Sequence, residues 1–311
     1  MRSISGFGVT IIRVSSPSSI ATSDMRTSSR ERFAVSGTPK IERLSSIAFS
    51  IPRYESYNGR MSIRVDVIPA IHTPRSRDGS FSYRGTKRLP NGTLVRVPFG
   101  KQGLLWGIVS GGGVLPKRTP YPIKELSETI GSHAIFSQKQ LTYLEWEATA
   151  TVTSIGDVVK RALPPWVRIK NRLKEFQETS FPKEQSARKP KKNRVHFANR
   201  PDRLAEYQKR VDAALKKGRQ ALLIAPSADI ATALAKELRG ATLAPNGVTK
   251  SAAHAWIRIR SGDPIAIVGG KSALRLPFTN LDIILVEESG SSLYKETRAH
   301  PYTDARHGAA V

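Results

Sequence analysis

Apolar positions along this chain follow two different rhythms, and the change between them marks its organisation. Residues 62–68 alternate polar and apolar, the two-residue period of a strand buried on one face. Phe81 to Arg84 begins a second such strand, and Asn91-Gly92 is a turn signal. Residues 93–101 and 104–109 read as a hairpin turning through Gly100 to Gly103, with Gly111-Gly112-Gly113 ending it. Residues 137–147 and 155–163 carry helical spacing, the second led by Gly156-Asp157 and stopped by Pro164-Pro165. The product predicted is a small β-rich domain with helices at its end.

The second half replaces alternation with short, unbroken apolar runs. Ala221 to Ala225, residues 264–270 and residues 281–286 read as buried parallel strands. Residues 229–238 between the first two carry apolar positions at helical spacing. Strands alternating with helices predict an open α/β sheet. Glu287-Glu288 follow the last strand, at a carboxyl end, where such sheets place functional groups.

Composition adds three constraints. The 311 residues suffice for two domains, yet the hydrophobic content of 39% is low for a wholly globular chain. The Ser- and Arg-rich stretch 1–60 has no sustained periodicity and is predicted to be disordered. Its apolar run from Phe7 to Val14 is too short for a signal core, and Asp24, Glu31 and Glu42 count against a transit peptide. Ordered-looking sequence begins at Met61, which could be the start of the translated protein. Trp166 to Arg194 is rich in Lys, Arg and Pro and reads as a basic linker.

The formal net charge is +25, and a chain this basic meets a polyanion, most often nucleic acid. Lys183, Arg188, Lys189, Lys191, Lys192 and Arg194 form a run suited to salt-sensitive phosphate binding, or to a solvated hinge. The absence of cysteine removes disulfides and thiolate zinc sites. The six histidines show no metal-ligand spacing. No apolar run approaches the roughly 18–20 residues of a membrane span, so a cytoplasmic protein is expected.

Several of these segments resemble one family. The run from Val95 to Gly100, then Gly107-Ile108-Val109, then Gly156-Asp157-Val158 to Pro164-Pro165, is similar to the amino-terminal domain of the replication-restart helicase family, that of primosomal protein N′ (PriA). Gly218-Arg219-Gln220, Trp256 to Gly262, Gly269 to Leu274, Pro277 to Leu281, Ser292 to Lys295, Pro301-Tyr302 and Ala305-Arg306 resemble its first helicase lobe. The resemblance covers about 61–165 and 195–311. It implies an α/β architecture: a β-rich domain that grips DNA 3′ ends, then a single RecA-like lobe with a parallel sheet. It implies DNA as partner, as forks, 3′ ends and single strands, together with other replication-restart proteins. Family cofactors are ATP, Mg2+ and Zn2+.

This sequence departs from the family at its ATP site. Counted back from Gly218-Arg219-Gln220, the phosphate loop falls on residues 196–204, which contain no glycine to form a backbone anion nest. Pro201 has no N–H, and Asp202 would repel phosphate. Arg203 stands where the family has Lys, and Leu204 where it has the Mg2+-binding hydroxyl. The second ATPase motif reads Glu287-Glu288-Ser289-Gly290, with both glutamates expected as a solvated strand end. No zinc cysteines are present, and the chain stops before a second lobe. No cofactor and no catalytic residue are therefore expected.

The family's 3′-end pocket maps better. Its aromatic matches Phe81, a base-stacking candidate that could equally be strand core. Its glycine matches Gly100, which lets backbone approach a nucleotide and also suits a hairpin turn. Its lysine matches Lys124, and its acid falls on Ser82. Lys101, Lys189, Lys191 and Lys192 complete the predicted DNA contacts. Three readings follow: a DNA-binding replication-restart protein without helicase activity, an ATP-dependent 3′–5′ helicase of the primosome, or a degraded reading frame.

Overall fold

The first described strand, β1 (Phe7–Arg13), lies within the stretch expected to be disordered and is paired on both edges. The structure is a computed structural model that describes residues 7–13, 63–74, 78–116, 118–119, 121–179, 191–197, 199–295 and 304–310. The rest of the 1–60 extension, Met61 and Lys189 of the basic run lie outside the described residues.

Strands β2 (Ile63–Pro69), β3 (Phe81–Gly85), β4 (Thr93–Pro98), β5 (Leu104–Val114) and β6 (Glu128–Ala134) form an antiparallel sheet in the order β3-β2-β5-β4-β6. The alternation read from the sequence sorts its two faces. Val65, Val67, Tyr83, Val95, Val97 and Val109 bury one face. Ile68, Leu94, Ile108 and Ile130 point to the other, under α1 (Gln138–Ala150) and α2 (Ile155–Ala162). Gly111 to Gly113, expected to end the hairpin, instead lie inside β5, which runs on to Val114 against β2.

Both helices start where side chains cap them. Ser137 accepts from the Gln140 amide at 3.1 Å, and Ser154 from the Asp157 amide at 3.2 Å. Gly156 lets α2 press onto the end of β2: a Cβ there would lie 2.3 Å from the Ile71 carbonyl oxygen and 2.6 Å from that of Pro69.

The first part of the expected basic linker, residues 166–179, is folded, which corrects that reading there, while residues 180–190, with Lys183, Arg188 and Lys189, lie outside the described residues. Pro165–Arg168 form a 3-10 turn and α3 follows as Lys170–Glu178. Trp166, Val167 and Phe176 are buried in the core of the antiparallel half. Averaged composition concealed them, because a few apolar side chains suffice to dock a helix whose remaining positions are charged.

Strand β7 (Lys191–Phe197) opens the second sheet, followed by α4 (Arg200–Lys216), β8 (Gln220–Ile224), α5 (Ala228–Glu237), β9 (Ala241–Leu243), α6 (Lys250–Ser261), β10 (Ala266–Gly269), β11 (Leu281–Val286) and α7 (Ala305–Gly308). The order is β7-β1-β11-β8-β10-β9. The three predicted strands β8, β10 and β11 run parallel, joined by the unpredicted β9, while β1 is antiparallel to both β11 and β7. The sheet is therefore mixed rather than purely parallel. Its central strands are largely apolar because both faces are covered, with Gln220 and Asp282 as their buried polar exceptions. Ala221, Leu223, Val268 and Leu285 meet α4 and α5, whereas Leu222, Ile224, Ile267 and Ile284 meet α6 and the C-terminal segment.

The two sheets share a core. Trp256 of α6 packs edge-on to Trp166 (ring centroids 5.4 Å apart) and to Phe176 (6.0 Å). Arg275 donates from Nε to Glu147 Oε2 at 2.9 Å, and its carbonyl accepts from Gln140 Nε2 at 2.5 Å. Truncation of a large buried aromatic costs about 3–5 kcal/mol. Trp166→Ala is therefore expected to lower unfolding free energy by about that much in urea titration, whereas a solvated linker would tolerate it.

Candidate nucleic-acid interface

The β4–β5 hairpin and the edge strand β3 bring Phe81 beside Phe99 and the Gly100 turn. Phe81 pairs with Val67 in the β2–β3 ladder, and its half-buried ring meets Phe99 edge-on at 5.0 Å. Phe99 leads into the turn Gly100–Gln102, which presents Lys101 to solvent. Gly100 has a φ of +52°, a left-handed conformation that favours glycine, and nothing lies within 4 Å of where its Cβ would be. The backbone is thus bare and open beside the Phe81–Phe99 pair.

Lys124 reaches this edge through main-chain bonds. The Arg84 amide donates to the Lys124 carbonyl at 2.8 Å, and the Leu126 amide to the Arg84 carbonyl at 2.9 Å. The segment therefore runs beside β3, with the Lys124 side chain exposed. An aromatic face beside an open backbone turn that carries an exposed lysine suits a nucleotide: a ring can stack a base, and an ammonium can meet phosphate.

Ser82 is on the opposite face of β3 from Phe81 by strand alternation. Its hydroxyl donates to Asp66 Oδ1 at 2.7 Å, and Arg64 Nε lies 3.2 Å from the same oxygen. A carboxylate thus stands one strand away from the position where the resemblance placed an acid. Asp66 was missed because its partner is set by the β2–β3 register, which pairs Asp66 with Ser82 and leaves no local signal. Lys191 and Lys192 belong to β7, in the other sheet, opposite Arg13 and Ile12 of β1. The structure therefore does not bring them to the hairpin.

The positions matching the ATP site fold differently from expectation. His196 and Phe197 end β7, and Arg200 to Leu204 form the first turn of α4. Asn199 caps that helix, accepting from the Asp202 amide and donating to the Asp202 carboxylate, both at 2.9 Å. Pro201 lies in the same turn. Arg203 does not face a ligand: its guanidinium lies 2.9 Å from Glu287 Oε1, with the two side chains 2% and 1% exposed. The Tyr207 hydroxyl, one turn along α4, donates to Glu287 Oε2.

Glu287 is therefore a buried ion-pair partner and not the solvated strand end expected of it. Sequence reading missed this because a glutamate after an apolar run looks the same whether water or an arginine receives it. Glu288, half-buried, takes a φ of +42°, which turns the chain sharply at the end of β11. The Tyr294 hydroxyl lies 2.8 Å from the Ile224 carbonyl oxygen and 2.5 Å from that of Glu287, tying two neighbouring strand ends. Burial pushes the Glu287 carboxyl above its ordinary range, opposed by the Tyr207 hydrogen bond and the Arg203 charge. Burial and the Glu287 charge push the Tyr207 hydroxyl up as well.

Residues 70–164 match the family model of the PriA 3′ DNA-binding domain. The match contains Phe81, Gly100, Lys101 and Lys124, and it supports a PriA-like protein with DNA as a partner in replication restart. Among the described residues, no three His, Asp or Glu side chains gather as a metal site, and no helix is long and apolar enough to cross a membrane.

Removing one member of a buried ion pair leaves an uncompensated charge and costs about 3–5 kcal/mol, while replacing both with apolar residues is often neutral. Arg203→Met is expected to destabilise the chain by about that much in denaturant titration. Adding Glu287→Leu should restore most of the loss.

Proposed function

We propose that this chain is a DNA-binding replication-restart protein that engages 3′ ends at forked or branched DNA, and that its α/β half, a degenerate RecA-like lobe, performs no ATP-driven unwinding. The match over residues 70–164, on a hairpin whose turn is open beside an aromatic pair, is the observation that carries the DNA reading. Phe81 stacks a terminal base, and the bare backbone at Gly100 admits the sugar. Lys101 and Lys124 meet phosphate, while the Asp66–Ser82 pair lies on the opposite face of the sheet from Phe81. The setting is cytoplasmic, and other replication-restart proteins are the expected company.

The second half of the proposal rests on side chains already committed to each other. Phosphate binding at a helix start needs free backbone donors. At α4 one donor is capped by Asn199, Pro201 offers none, and Asp202 repels anions. A nucleotide-bound metal needs a carboxylate, and Arg203 and Tyr207 engage both oxygens of Glu287. These residues do not fit ATP with Mg2+.

The test combines binding and turnover. Anisotropy with fluorescent forks, with and without a free 3′ end and across a salt series, should show preference for the free end. Base–aromatic stacking is worth roughly 1–3 kcal/mol, so Phe81→Ala should weaken binding about five- to hundredfold. Removing Lys101 or Lys124 should each lower the salt slope by about one. DNA-stimulated ATP hydrolysis should be absent. Hydrolysis that disappears in Arg203→Ala would overturn the proposal in favour of a 3′–5′ helicase.

A further inference from the structure

Strand β1 is inserted between two strands that both depend on it. Among the described residues, β7 pairs with β1 and with no other strand, so β1 alone ties it to the sheet. On its other edge β1 covers β11, from Thr10 opposite Val286 to Arg13 opposite Ile283. Yet β1 comes from far along the chain. Residues 14–62 and the whole antiparallel half lie between it and β7, and β11 is further still.

The slot between β7 and β11 is costly to leave empty. Asp282 to Val286 of β11 are buried, and unpaired main-chain donors and acceptors in a buried strand cost free energy. An open edge also templates other strands. The slot recognises its occupant through the main chain: an extended run of seven residues, antiparallel to both walls. Val9, Thr10, Ile11 and Ile12 are four successive β-branched residues, the side chains that suit a strand best.

Every copy of the chain carries that strand. Insertion of β1 from a second copy remakes the same ladder residue for residue, so the two arrangements differ in their connection and not in their pairing. Residues 14–62 span at most about 160 Å when fully extended. A compact chain of this size has a radius of gyration of only about 20 Å, so the connection is long enough to serve a neighbouring molecule as well as its own sheet. Its length also lowers the effective concentration at which β1 meets its own slot. We infer that the slot between β7 and β11 is a strand-exchange site whose partner is a second copy of this chain, with β1 of each copy completing the sheet of the other. The inference is independent of the DNA-binding reading.

The sequence has no cysteine of its own, so an engineered thiol is unique. Two full-length variants with different affinity tags, Thr10→Cys and Arg194→Cys, are unfolded together, refolded as a mixture and oxidised. Thr10 and Arg194 are register partners, and antiparallel partners hold their Cα atoms about 4.5–5.5 Å apart, within disulfide reach. A disulfide-linked dimer carrying both tags is expected. Its fraction should fall about tenfold when the refolding mixture is diluted tenfold, because insertion from a second copy competes with a fixed effective concentration. Ile12→Cys mixed with Ile284→Cys repeats the measurement from the β11 edge, should one variant fail to fold. Thr10→Cys mixed with Leu104→Cys, an exposed position in the other half, sets the level of random collision. Thr10→Cys with Arg194→Cys in one chain reports insertion of a chain's own β1. An internal disulfide there, with mixtures at the collision level at every concentration, would overturn the exchange. Neither internal nor mixed disulfides at either edge would overturn the exchange together with the placement of β1.

Discussion

Three aromatic side chains from distant parts of the chain decide how this molecule is put together. Trp166 and Phe176 close the antiparallel half, and Trp256 projects from the helix α6 of the mixed sheet into the same core. Aromatic pairs add directional preference to the area they bury. The halves are consequently fixed by packing as well as by chain connection, with the Glu147–Arg275 pair adding a charge-assisted clamp.

The Arg203–Glu287 pair is a different kind of constraint. Two buried charges pay a desolvation cost that their attraction and hydrogen bonds offset only when geometry is good. Here Tyr207 completes the carboxylate, and Tyr294 ties the Glu287 carbonyl to the end of β8. The pair joins the first turn of α4 to the end of β11. The carboxylate that a strand end would offer to a ligand is instead consumed by an internal cation.

Much of the fold was legible. Alternation over residues 62–68 foretold β2 and the hairpin reading foretold β4 and β5, although Thr93, Leu94 and Val95 bury both faces of β4; the apolar runs at Leu222 and Ile284 foretold the doubly covered strands. Less was legible wherever long-range partners decide. Phe7–Arg13 looked like a fragment in a polar stretch because its partners lie across the chain. Leu204, Tyr207, Val211 and Ala214 carry helical spacing, yet counting from a resemblance assigned their start to a loop. Phe81, Gly100 and Lys124 could be singled out from the sequence, whereas the pairing of Asp66 with Ser82 needed the register.

The position of β1 has a consequence for assembly. Thr10 pairs with Val286 and Phe7 with Phe197, so the second sheet needs both ends of a long stretch of chain before its central order exists. Loop closure of that span must precede the contacts that reward it, which makes such pairings slow to form. During synthesis β1 emerges first and has no partner until β7 and then β11 are made, and unpaired edges invite wrong partners. The antiparallel half closes through shorter spans and is the natural first unit to fold.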